Sequence, residues 1–242
     1  MNLFYRIFLL FCLVLFPAQH SLQAAPLQRA DQLAPFFAGY QGTFLLYDEF
    51  KDQYIVFNEP QSEKRLTPCS TFKIYNSLIA LETGVAPDEN LLLHWDGQTR
   101  FLPVWNQNHT MTTAIKNSVV WYYQELASRI GPDRMQSYVD AIPYGNRDIS
   151  GGISQFWLRS SLQISAKEQV ELLRRLYHDQ LPFSERNMAI VRKIIVQSDQ
   201  EGVVFSGKTG AGSIEENTPL AGLSVWWRKA TAVIISPPIL KR

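Results

Sequence analysis

The sequence predicts an α+β fold in which an antiparallel β-sheet carries flanking helices beside an all-helical region. Three observations carry that expectation. β-rich segments occur near residues 42–58, helical periodicity fills the middle of the chain, and β character returns after residue 202. The first two strands are Gly42 to Asp48 (GTFLLYD) and Gln53 to Asn58 (QYIVFN). Both are rich in β-branched and aromatic residues, and the polar run Glu49 to Asp52 between them marks a hairpin. A helix is expected over Thr71 to Thr83, with apolar residues at Phe72, Tyr75, Leu78, Ile79 and Leu81 and Gly84 as its C-cap. Ser118 to Ile130 and Ala166 to His178 share that periodicity, the second with Ser165 as N-cap. Gly202 to Ser206 then reads as a strand running into Gly207-Lys208-Thr209-Gly210.

Composition bounds the function. The 242 residues are 46% hydrophobic, enough for one substantial core. Basic and acidic residues nearly balance at a net charge of +1 with no long run of either sign, so neither nucleic acid nor an anionic membrane is proposed as a partner. There is no linker-like stretch and no internal repeat, so residues 25–242 read as one domain. Ahead of it, Arg6 precedes the apolar run Ile7 to Phe16, and Pro17, Ser21, Ala24 and Ala25 follow. The run is shorter than the roughly 20 residues that a membrane span needs. Residues 1–24 are therefore expected to be a secretory signal cleaved near Ala24, leaving a periplasmic protein with no stable membrane anchor. Cys12 departs with the signal. Cys69, left alone, can form no internal disulfide or cysteine metal cluster and reads as a small buried filler.

Ser70-Thr71-Phe72-Lys73 is an S-x-x-K element at the start of a predicted helix. Residues three apart share a helical face, which brings Ser70 Oγ within reach of Lys73 Nζ. Serine is a poor nucleophile until a base takes its proton, and lysine can be that base only where apolar surroundings disfavour its charge. Phe72, Ile74 and Val120 are candidates for those surroundings. Thr113-Ala114-Ile115-Lys116 fits a similar pattern and is assigned no chemistry. The second element is Lys208-Thr209-Gly210. It offers a compact positive charge for a substrate carboxylate, a hydroxyl donor, and a glycine expected to let substrate approach the backbone.

S-x-x-K followed by K-T-G is a signature of penicillin-recognising serine enzymes. The chain resembles a class D (oxacillinase-type) serine β-lactamase at these motifs and at Ser118-Val119-Val120, Tyr144-Gly145-Asn146, Phe156-Trp157-Leu158 and Leu162 to Gln169. The resemblance runs from about Gly42 to about Pro219. It implies hydrolysis of β-lactams through a Ser70 acyl-enzyme, with Lys73 carboxylated by CO₂ as general base and no other cofactor or metal. It also implies that Trp157 holds the carbamate, Val120 keeps the pocket dry and Ser118 relays a proton to the leaving nitrogen. Lys208, Thr209, Gly210 and the backbone of Ala211 would receive the substrate, and Tyr144 and Asn146 would shape the cleft.

After Pro219 the sequence departs from the class, which continues with two strands and a C-terminal helix. A one-base change near Leu220 would account for this: one allowed choice of codons for the tail, read in a shifted frame, gives a strand, a tight turn and a second strand. The expectation is an atypical tail over residues 220–242, with the C-terminal strand and helix lost. Three other readings stand beside hydrolysis: a penicillin-sensing domain that acylates without turnover, a cell-wall transpeptidase or carboxypeptidase, and an inactive frameshifted product. A middle motif ending in Val120 rather than asparagine argues against the transpeptidase.

Overall fold

The computed structural model describes residues 25–200, 203–215, 218–227 and 230–236. The predicted signal and everything after Ser236 lie outside them. Seven strands form one sheet in the order β1-β3-β2-β7-β6-β5-β4: β1 Leu27–Arg29, β2 Thr43–Asp48, β3 Gln53–Phe57, β4 Val196–Gln200, β5 Val203–Glu215, β6 Thr218–Trp227 and β7 Ala230–Ser236. The short β1 pairs in parallel with β3. Every other pairing is antiparallel, including the predicted β2–β3 hairpin, with Leu45 opposite Val56 and Tyr47 opposite Tyr54.

The helices are α1 Glu59–Glu63, α2 Lys73–Glu82, α3 Met111–Lys116, α4 Val120–Ile130, α5 Pro132–Ala141, α6 Ala166–Tyr177 and α7 Glu185–Ile194. Their ends follow the sequence. At Gly84 the backbone turns left-handed (φ +71°), a conformation that favours glycine, one residue beyond the α2 C-cap Thr83. Ser165 caps α6 in a reciprocal box, its side chain accepting from Glu168 N while the Glu168 carboxylate accepts from Ser165 N.

Two apolar cores meet at the Ser70 turn. The larger lies among the helices and includes Phe72, Ile79, Tyr122, Leu126, Met135 and Leu173. The smaller fills the space between α6 and the sheet, with Leu45, Tyr47, Val56, Cys69, Val170 and Leu220. On α6, Gln169 accepts from Ser224 Oγ of β6 at 2.7 Å, and Tyr177 stacks on Trp226 with ring centroids 3.9 Å apart.

The tail corrects the sequence-based expectation. Among the described residues the strand expected to be lost is present: β6 runs through Leu220 to Trp227, and β7 sits between β2 and β6 near the middle of the sheet, while the expected loss of the C-terminal helix falls outside them. The reason is that ladder pairing is made by backbone groups and tolerates many sequences. Segments as rich in Val, Ile, Thr and Trp as LSVWW and ATAVIIS meet what a strand requires.

Candidate active site

The nucleophile turn is built from strain and small residues. Cys69–Phe72 forms a 3-10 turn that runs directly into α2. It is entered through Cys69 in the left-handed region, φ +50°, an uncommon conformation for a residue with a side chain. The bend is tied by Thr71 N and Thr71 Oγ1, which both donate to Pro68 O, at 3.2 and 2.8 Å. Cys69 Sγ turns inward and contacts Leu158 O at 3.5 Å. Strand β5 closes against this turn because it carries glycines. A Cβ on Gly210 would lie 2.9 Å from Pro68 O, and one on Gly212 would lie 2.5 Å from Cys69 Sγ.

Lys73, the first residue of α2, has no solvent-exposed surface, and its Nζ donates to Ser70 Oγ at 2.7 Å. The ring of Tyr123 on α4 lies 5.5 Å from the same nitrogen. Burial, reinforced by the nearby positive charge of Lys208, lowers the Lys73 pKa to about 7, so a neutral amine is accessible near physiological pH. Among the described residues no carboxylate forms an ion pair with it.

Lys208 on β5 is also buried, and burial lowers its pKa to about 8. Its Nζ donates to Thr209 O at 2.9 Å and to Thr209 Oγ1 at 3.1 Å, which keeps ammonium and hydroxyl together at the strand rim. Thr209 and Ala211 are exposed, whereas Gly210 is buried. The expectation that Gly210 makes room for substrate is therefore corrected: what approaches its backbone is the Pro68 carbonyl.

The middle motif opens α4. Ser118 is half-buried and left-handed, φ +55°, and Val119 and Val120 follow as the N-cap and first helical residue. Val120 is half-buried. The decoy Thr113-x-x-Lys116 lies on α3 with both end residues exposed, and the Thr113 hydroxyl contributes to the α3 capping box.

Trp157 is fully buried, T-shaped to Phe156 and stacked on Phe72, and its Nε1–H has no hydrogen-bond partner. A buried indole donor without an acceptor costs free energy, so it fits a site that takes an added anionic group. Tyr144 corrects another expectation. It has no exposed surface and packs edge-on against Phe72 and Tyr75, so it presents no surface of its own to the cleft and supports the start of α2 from behind. Asn146 is likewise engaged: Nδ2 donates to Ser161 O at 2.8 Å, while Oδ1 accepts from Gln163 N at 2.9 Å. Gly145 between them is required, since a Cβ there would fall 1.8 Å from Gln163 O.

Sequence reasoning missed two features. Tyr123 approaches Lys73, and helical spacing from Val120 could have shown it. An apolar surface loop, Phe101 to Trp105, is visible in the sequence as FLPVW in an otherwise polar stretch.

Residues 41–227 match the penicillin-binding protein transpeptidase domain. The chain is 44% identical over 174 residues to the probable β-lactamase YbxI of Bacillus subtilis, covering 72% of this chain and 65% of that one. The chain thus spans just under two thirds of the length of that relative. It is 43% identical over 187 residues to β-lactamase OXA-48 of Klebsiella pneumoniae, covering 77% and 69%. Among solved structures, the class D β-lactamase FUS-1 of Fusobacterium nucleatum subsp. polymorphum superposes with a TM-score of 0.84 at 32% identity, covering 88% of this chain and 90% of that one. The C-terminal domain of the BlaR penicillin-receptor of Bacillus licheniformis gives 0.84 at 30% identity, covering 89% of each. The chain therefore belongs to the class D serine β-lactamase family, built on the penicillin-binding transpeptidase domain.

Proposed function

We propose that the protein hydrolyses β-lactam antibiotics, penicillins and oxacillin-type compounds, through an acyl-enzyme on Ser70 with carboxylated Lys73 as general base. The observation that carries this reading is the 2.7 Å contact between the Ser70 hydroxyl and a buried lysine amine with a depressed pKa. The base takes the Ser70 proton, and Oγ bonds the lactam carbonyl carbon. The lactam C–N bond then breaks, and Ser118 passes a proton to the leaving nitrogen while taking the Ser70 proton from the base. Lys208 and Thr209 hold the substrate carboxylate, with the backbone of Ala211 at the carbonyl. Water then attacks the ester, and the oxygen returns to Ser70 with its proton. Carboxylation by CO₂ would give Lys73 an anionic, proton-accepting group in place of a buried cation, and the unpartnered Trp157 Nε1–H is the donor suited to it. No other cofactor enters the scheme.

Export supports the same reading. The apolar run Ile7 to Phe16 with small residues behind it suits a cleaved signal, whose removal would leave the enzyme in the periplasm. Among the described residues no helix is long and apolar enough to cross a membrane.

The likeness to the BlaR receptor domain supports a second reading, acylation without turnover. One experiment separates the two. The purified chain is mixed with a chromogenic β-lactam while its intact mass is followed. Sustained turnover supports the hydrolase, a lasting stoichiometric adduct on Ser70 without turnover supports the sensor, and absence of both turnover and adduct contradicts both.

A further inference from the structure

Lys73 Nζ donates to Ser70 Oγ, and it also lies over the face of the Tyr123 ring, 5.5 Å from the centroid. Tyr123 has no exposed surface and sits on α4, the helix that the Ser118 motif opens. A buried phenol usually finds a partner for its hydroxyl, and here the partner is Ser77 Oγ at 2.9 Å. Ser77 lies one turn along α2 from Lys73 and gives its single hydroxyl proton to Lys73 O at 2.8 Å. The phenol is therefore the donor in its contact with Ser77, and a chain of bonds runs from Tyr123 through Ser77 to Lys73. Asn76 adds a second tie, its Nδ2 donating to Tyr123 O at 3.2 Å. Tyr122 packs edge-on against the Tyr123 ring, with centroids 5.6 Å apart.

These ties do more than fill space, which a leucine would also do. They fix the ring against the amine, and they join the helix opened by the Ser118 motif to the helix that begins at Lys73. The face of an aromatic ring attracts an ammonium more than a neutral amine. The other titratable groups around Lys73 bring no such attraction. Lys208 on β5 opposes the charge. Burial keeps the Cys69 thiol of the nucleophile turn, and the Tyr123 phenol itself, protonated and neutral.

We propose that Tyr123 is a positioning residue for the base: its ring, anchored through Ser77, keeps the Lys73 amine turned toward Ser70. The proposal rests on Ser70 acylation with Lys73 as base, as proposed above. It is tested on the full chain by the second-order rate of Ser70 acylation by benzylpenicillin, read as intact mass after rapid quenching, from pH 5 to pH 9. Tyr123→Leu removes the ring and is expected to slow acylation about 100-fold. Its acid limb should also move roughly half a unit to lower pH, because the ammonium loses its aromatic partner. Tyr123→Phe and Ser77→Ala each break the anchor but keep a ring, so each should slow acylation about fivefold with the limb in place. The double variant should be no slower than either single one, since both changes remove the same bond. An unchanged rate or an unmoved limb in Tyr123→Leu would overturn the assignment. Should that variant fail to fold, wild-type rates in the two milder variants, or losses that multiply in the double one, would overturn it equally. A wild-type chain that forms no adduct at any pH would remove the acylation reading and this inference together.

Discussion

Lys73 Nζ and Ser70 Oγ lie 2.7 Å apart on a strained turn where the lysine has no access to solvent. Burial and the neighbouring charge of Lys208 bring the amine's pKa to about 7, and burial brings that of Lys208 to about 8. The proposed mechanism needs the two lysines in opposite protonation states: Lys73 without its proton, Lys208 with it.

A pH profile follows with its sign fixed. Below about pH 7 Lys73 is protonated and can neither accept the Ser70 proton nor react with CO₂, so kcat falls on the acid side. Above about pH 8 Lys208 loses the charge that holds a substrate carboxylate, so KM rises. A plot of kcat/KM against pH is expected to be bell-shaped with its maximum between those limbs. A profile flat from pH 5 to pH 9 would contradict the role of both lysines.

Trp157→Phe keeps the ring stacked on Phe72 but removes an indole donor that has no partner in the protein. The variant is expected to fold and to lose about 100-fold in kcat, the lower end of what a positioned proton-transfer group contributes. Added bicarbonate should recover part of that loss by mass action. Stopped kinetics across a bicarbonate series measures it, and wild-type activity in the variant would contradict the assignment.

Packing between β5 and the nucleophile turn gives a stability test. Gly212→Ala places a methyl 2.5 Å from Cys69 Sγ and is expected to cost about 1–3 kcal/mol. Cys69→Ala removes the obstructing sulfur, so the double variant should be more stable than the sum of the singles predicts. Urea unfolding of the four proteins completes the cycle, and strict additivity would show that the two positions do not meet.

Much of this was legible in the sequence, for identifiable reasons. The β2–β3 hairpin and α6 carried clean period and capping signals, and S-x-x-K with K-T-G has few structural alternatives once both stand in order. The strands of the tail are not legible from family likeness, because departure from a familiar motif says little about pairing, which asks only for suitable β-formers. Tyr144 and Gly210 were placed at the cleft because a motif records which residues recur together, and it does not say whether they face a ligand or each other's packing. Phe101 belongs to a loop held by side-chain bonds to Asn106 and His109 and by the Trp105 bond to Asn117, and no hydrophobic period reports those.

The position of β7 makes the tail essential. It pairs with β2 on one side and β6 on the other, so deleting Ala230–Ser236 would split the sheet and expose two unpaired edges. The shortened chain is expected to be insoluble where the full chain is soluble. A soluble, acylating deletion product would show that β7 is dispensable.

In the proposed mechanism a neutral, buried Lys73 becomes the carboxylated base for Ser70. The most direct measurement is the hydrolysis rate of a chromogenic β-lactam by the full chain in CO₂-depleted buffer and again with bicarbonate restored. Turnover that falls on depletion and returns on addition, with the loss greater at pH 6 than at pH 8, is the predicted result. Equal rates in the two buffers would contradict this and leave the unmodified amine as the base beside Ser70.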